Sequence, residues 1–134
     1  MIVVLDASAA VKIVHQEPAT KKFSEYIINA DWVIAPDIYI SEVTNVFWKY
    51  HQFEALPLDI CENLLNKSVR LIDDVIESGE LYQEAFSFSC RTNHPVYDSM
   101  YLICARRHNA IFLSADKRLI KLAQKNAIKV GEYI

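Results

Sequence analysis

Ile2-Val3-Val4-Leu5-Asp6-Ala7-Ser8 opens the chain, and its reading decides the fold. Four apolar residues, three of them β-branched, follow one another without polar alternation. A strand of that kind is buried on both faces, as in a parallel sheet covered by helices. Asp6 closes the run, and Ala7–Val14 reads as a short helix ending near Pro18. A carboxylate ending a doubly buried strand is costly to desolvate unless it is paired. In open parallel sheets, the position beyond the carboxyl end of a strand is also where ligands bind.

A second stretch has the same form. Ile111-Phe112-Leu113 reads as a strand, Ser114-Ala115 as a short turn, and Asp116 as the start of a helix over 116–126. Asp6 and Asp116 are therefore expected on the same rim. Between these stretches the chain alternates. Helix is expected over 20–30, a strand over 32–35 stopped by Pro36, and a helix from Asp37 to Tyr50. That helix carries Tyr39, Ile40, Val43, Val46, Phe47 and Tyr50 at three- and four-residue steps, an apolar stripe on one face. Further helix is expected from Leu58 to about Lys67, a strand over 69–75 with Gly79 as punctuation after it, and helices over 81–91 and 97–108. Residues 128–130 read as a last edge strand. This order predicts a single α/β domain over residues 1–134: a Rossmann-like three-layer α/β/α arrangement with a mainly parallel central sheet.

Composition narrows the chemistry. A chain of 134 residues, 52% hydrophobic and 23% charged, can bury a core without disulfides or structural metals. Its three cysteines, Cys61, Cys90 and Cys104, are scattered and read as free thiols in or near the core. No basic leader or long apolar run is visible, so a cytoplasmic protein without membrane association is expected. With only Gly79 and Gly131, a dinucleotide fingerprint, a Walker loop and a nucleophile elbow are all excluded. A net charge of −3 argues against a broadly basic nucleic-acid surface, but not against an acidic metal site with a local basic rim.

Two more acids join Asp6 and Asp116. Asp98 stands at the start of its helix, and Glu42 lies on the flank of the apolar stripe, with Asn45 one turn further on. Asp98 and Asp116 each have an ordinary explanation as helix caps. Glu42 could be a solvated flank residue paired with Lys49. Together, four acids without many lysines or histidines among them suit a hard cation such as Mg²⁺ or Mn²⁺. Without one they would raise each other's pKa.

The motifs around these acids resemble those of the PIN-domain family, and specifically of the VapC-type toxins of toxin–antitoxin pairs. Val-Val-Leu-Asp6-Ala-Ser8 resembles the first motif and Ser41-Glu42-Val-Thr-Asn45 the second. Val96-Tyr97-Asp98-Ser99-Met-Tyr101 resembles the third, and Phe112-Leu-Ser114-Ala-Asp116-Lys-Arg the fourth. Ser114 stands where threonine is frequent and keeps the hydroxyl. The resemblance implies an Mg²⁺- or Mn²⁺-dependent endoribonuclease, usually a homodimer, that cleaves RNA and is inhibited by a cognate antitoxin. Asp6, Glu42, Asp98 and Asp116 would then be the catalytic, metal-centred acids, Ser8 and Ser114 supporting hydroxyls, and Asn45 a substrate or supporting contact.

Lys12, Lys117 and Arg118 are candidate phosphate contacts; for Arg106 and Arg107, favourable charge at a helix C-terminus is the preferred reading. His15, His51, His94 and His108 are expected at the surface or at caps, and Trp48 and Phe53 in the core, with a partner surface as the alternative. Four rival readings stand beside this one. A receiver-like phosphotransfer module lacks its paired acids here, and a haloacid-dehalogenase-type phosphatase needs an aspartate where Ser8 stands. A PIN-fold RNA-processing nuclease that is not a toxin, or a non-catalytic RNA- or protein-binding module, would keep the fold.

Overall fold

The computed structural model describes residues 1–132, so the last two residues of the expected domain lie outside it. Four strands form one sheet in the order β3-β2-β1-β4: β1 (Ile2–Leu5), β2 (Trp32–Pro36), β3 (Asp74–Ile76) and β4 (Ile111–Leu113). All three pairings are parallel. Central β1 pairs Val3 with Val33 on one side and with Ile111 on the other, and Val3, Val4 and Leu5 are wholly buried. That burial is why the opening run shows no alternation.

Helices α1 (Ala7–Val14), α2 (Lys21–Asn29), α3 (Ile38–Glu54) and α4 (Leu58–Arg70) lie in the first two crossovers. Helices α5 (Ser78–Thr92) and α6 (Val96–Arg107) lie in the third, and α7 (Lys117–Lys125) follows β4. The first two crossovers step outward from β1 and the third steps back past it. Right-handed connections therefore lay α1–α4 on one face and α5–α6 on the other. The packing agrees: α1 rests on α2, α3 and α4, while α6 lies across β1, β2 and β4. The expected three-layer α/β fold is the one observed.

Three local readings are corrected. The expected strand over 69–75 is mostly helix, since α4 continues to Arg70 and only Asp74–Ile76 pairs with β2. Cys61, Leu64, Leu65, Ser68 and Val69 keep a helical stripe against the core, which outweighs the β-branched Val69. Gly79 is not a break but lies in the first turn of α5, after Asp37 has accepted hydrogen bonds from the Ser78 amide (2.9 Å) and hydroxyl (2.5 Å). Residues 128–130 make one parallel bridge, Phe112 to Val130, rather than a full strand. The Phe112 amide donates to Lys129 and the Gly131 amide to Phe112, which covers the open edge of β4.

Side-chain expectations divide in the same way. Tyr39 and Phe47 are buried along the α3 stripe, but Trp48 (52% exposed) and Phe53 (71% exposed) stand outside the core, edge to face against each other. Cys61 and Cys104 are buried, whereas Cys90 is exposed. His51, His94 and His108 bond backbone carbonyls near helix ends. His15 instead packs against Phe47 and Tyr50. No helix among the described residues is long and apolar enough to cross a membrane.

Candidate active site

The order β3-β2-β1-β4 makes the boundary between β1 and β4 a topological switch point, because the chain leaves these neighbours in opposite directions. A crevice opens beyond the carboxyl ends of such a strand pair. Asp6 follows β1 there, and Asp116 follows β4 after two intervening residues, Ser114 and Ala115. Asp6, Glu42, Asp98 and Asp116 all line one cleft of about 330 Å³, together with Ser8, Asn45, Lys49 and Tyr101. Each acid comes from a different part of the chain.

Asp6 is the most confined of the four, 6% exposed and the N-cap of α1, where it accepts from the Ser8 amide. Its other oxygen accepts from the Ser114 hydroxyl at 2.6 Å. Ser114 Oγ in turn accepts from the Asp116 amide at 3.0 Å, and Ser8 Oγ from the Ala115 amide at 3.0 Å. The two hydroxyls thus tie the loop after β4 to the end of β1 and fix the distance between two acids. Burial raises the pKa of Asp6; its hydrogen bonds oppose this, and the charge of Asp116 adds to it.

Asp116 is the N-cap of α7, accepting from the Arg118 and Leu119 amides. Asp98 is no cap: it stands in the first turn of α6, where negative charge suits the helix dipole. Burial raises its pKa, Arg118 at 3.2 Å lowers it, and Asp116 raises it. Glu42 accepts from the Tyr101 hydroxyl at 2.5 Å, and its pKa is raised by burial and by the charges of Asp6 and Asp98. Neither Asp6 nor Glu42 has an ion-pair partner among the described residues.

The expected basic contacts fare differently. Arg118 reaches Asp98, and Lys117 stands exposed at the first position of α7. Lys12 pairs with Glu17 and is not among the lining residues. Arg107 pairs with Glu84, and Arg106 packs over Phe88 on the α5–α6 face. Two lining residues were not anticipated for this role. Lys49 is two turns beyond Glu42 on α3 and lines the cleft without pairing to it. Tyr101 is one turn beyond Asp98 on α6, and that three-residue step was the available signal.

An all-oxygen donor set of four acids, of which among the described residues only Asp98 is ion-paired, to Arg118, fits a hard divalent ion. Among the described residues, no three acid, histidine or cysteine side chains already converge as a closed cage. That is compatible with Mg²⁺, which keeps several waters and is held by one or two carboxylates rather than by an all-protein shell.

Comparison with known proteins bears on the fold and the family. The crystal structure of PAE2754 from Pyrobaculum aerophilum superposes with a TM-score of 0.77 at 17% identity, covering 97% of this chain and 83% of that one. VapBC2 from Rickettsia felis, bound to a DNA fragment from its promoter, superposes with a TM-score of 0.64 at 15% identity, covering 97% of each chain. At such identities the likeness is one of fold. No curated protein sequence matches significantly. The sequence profile of the PIN domain matches residues 3–125, nearly the whole of the acid-bearing fold, and the chain belongs to the PIN domain family.

Proposed function

We propose that the chain is a divalent-metal-dependent endoribonuclease and the toxin of a toxin–antitoxin pair. The observation that carries the nuclease reading is the convergence of four acids on one cleft at the β1–β4 switch point. Membership of the PIN family and the fold likeness to VapBC2 support the toxin reading, with a cognate antitoxin as partner. A homodimer belongs to the same proposal, and the exposed Trp48–Phe53 pair is available to a protein partner.

Asp6, Glu42, Asp98 and Asp116 would hold Mg²⁺ or Mn²⁺. When bound, the ion supplies Lewis-acid polarisation of the phosphoryl oxygens and a water of lowered pKa. Ser114 and Ser8 keep Asp6 and Asp116 in register. Lys49 offers positive charge to a phosphate along the α3 side of the cleft, and Lys117 and Arg118 do so at its α7 side. Asp98 or Glu42 would accept the proton of an attacking water. Attack by water leaves 5′-phosphate and 3′-hydroxyl ends; 2′,3′-cyclic phosphate ends would contradict the reading.

The test is incubation of the purified protein and of Asp98→Asn with a mixed RNA pool, with Mg²⁺ or with EDTA. Cleavage that needs the metal and falls by about 100-fold or more in the variant supports the assignment. Equal cleavage by both would refute it.

A further inference from the structure

Tyr101 is buried to within 3% of complete coverage, and its ring packs against Phe112 of β4. Tyr101 lines the acid cleft, and its hydroxyl donates to Glu42. The two residues come from opposite sides of the sheet, α6 and α3. Tyr101 is also one turn beyond Asp98 on the same helix.

We propose that Tyr101 is a positioning residue: its hydroxyl holds the Glu42 carboxylate over the cleft, so that α6 sets the placement of two acids, Asp98 directly and Glu42 through this bond. This rests on the reading of the four acids as the metal site.

The physical case is one of mobility and repulsion. Glu42 is only partly buried, and its long side chain has rotamers that lead to water. The charges of Asp6 and Asp98 repel it from the cleft. A donor on a mobile side chain would follow it outward. A donor on a ring locked by core packing does not, and the bond to a carboxylate is of the stronger, charge-assisted kind. Outer partners of this sort orient metal ligands and change affinity about 10- to 100-fold when removed. In a purely structural role, by contrast, Glu42 merely satisfies a buried hydroxyl, and the metal would not register its loss.

The test is Mn²⁺ titration by calorimetry on the full chain for wild type, Tyr101→Phe, Glu42→Gln and the double variant. Phenylalanine keeps the ring packing and deletes the donor. The expected result is binding weakened about 10-fold or more in Tyr101→Phe with an unchanged far-ultraviolet spectrum. Tyr101→Phe should add little once Glu42 is already Gln, and RNA cleavage should lose kcat while KM is retained. Wild-type affinity in Tyr101→Phe, or fully additive losses, would overturn the proposal while leaving the metal-site reading intact. A wild-type chain that binds no Mn²⁺ overturns both.

A measurement on the wild type covers the case in which Tyr101→Phe fails to fold. The Cζ resonance of Tyr101 in ¹³C-tyrosine-labelled protein should move with added Mg²⁺, with the midpoint seen in binding. A resonance indifferent to saturating Mg²⁺ overturns the positioning role.

Discussion

Burial, with the charges of Asp6 and Asp98, favours the protonated form of Glu42 despite the hydrogen bond from Tyr101. A carboxyl whose folded pKa exceeds its unfolded value binds more protons in the native state. Stability of the metal-free protein should therefore decline as pH rises from near the ordinary carboxylate range toward the raised value. Asp6 and Asp98 act in the same direction. In EDTA, Glu42→Gln should melt higher than wild type at pH 7.5, by less than about 1 kcal/mol because part of the group reaches solvent. The gap should close near pH 4, where wild-type Glu42 is itself protonated. Thermal denaturation at the two pH values checks this, and a variant less stable at pH 7.5 contradicts it. Among the basic residues, Lys49→Glu should weaken RNA binding several-fold at low salt, while Lys12→Glu, turned toward Glu17, should leave it unchanged. The four acids were legible because strand ends and helix flanks are readable from apolar periodicity. Tyr101 was not, because an aromatic at helical spacing reads as core, and its ring is core, although the residue also lines the cleft.

At the scale of elements, the two glycines make opposite predictions. A Cβ on Gly79 meets nothing within 4 Å, and the residue lies in the first turn of α5. Gly79→Ala should stabilise by up to about 1 kcal/mol through helix propensity and a less flexible unfolded chain. A Cβ on Gly131 would come 2.1 Å from Cδ2 of the wholly buried Leu113. Gly131→Ala should cost about 1–3 kcal/mol as overpacking. Urea melts of both variants test the pair, and a shift of the same sign in both would refute the account. Element existence was readable along nearly the whole chain; boundaries were not. The end of α4 was misplaced because Val69 and Ile72 carry β-favouring side chains on a segment whose register is set by tertiary packing. The Gly79 reading failed because the Asp37 side chain that orders the start of α5 is 41 positions away in sequence.

For the whole molecule, charge and topology set the expectations. Mn²⁺ at about 100 times its Kd should raise native stability by about 2.7 kcal/mol, and no rise in Tm with concentration would count against a metal site. Few basic residues border the cleft, so on the proposed reading RNA binding by Asp98→Asn should show a modest salt dependence. Three neutralised phosphates on a single strand correspond to a log–log slope of about −2. A slope much steeper than −3 would reveal a larger basic surface. Topology was legible in outline, since the strand–helix alternation dictates a parallel sheet; the switch point required the pairing order, which no local pattern encodes. The distribution of the cysteines has a practical side. Thiolate, not thiol, reacts with alkylating reagents, and burial pushes the Cys104 pKa up to about 12 while Cys61 is enclosed. A maleimide dye should therefore label the native wild-type chain once, at Cys90 near the end of the helix that hands the chain over to Asp98. The protein thus carries a built-in attachment point for following ion or RNA binding by fluorescence without any engineered residue.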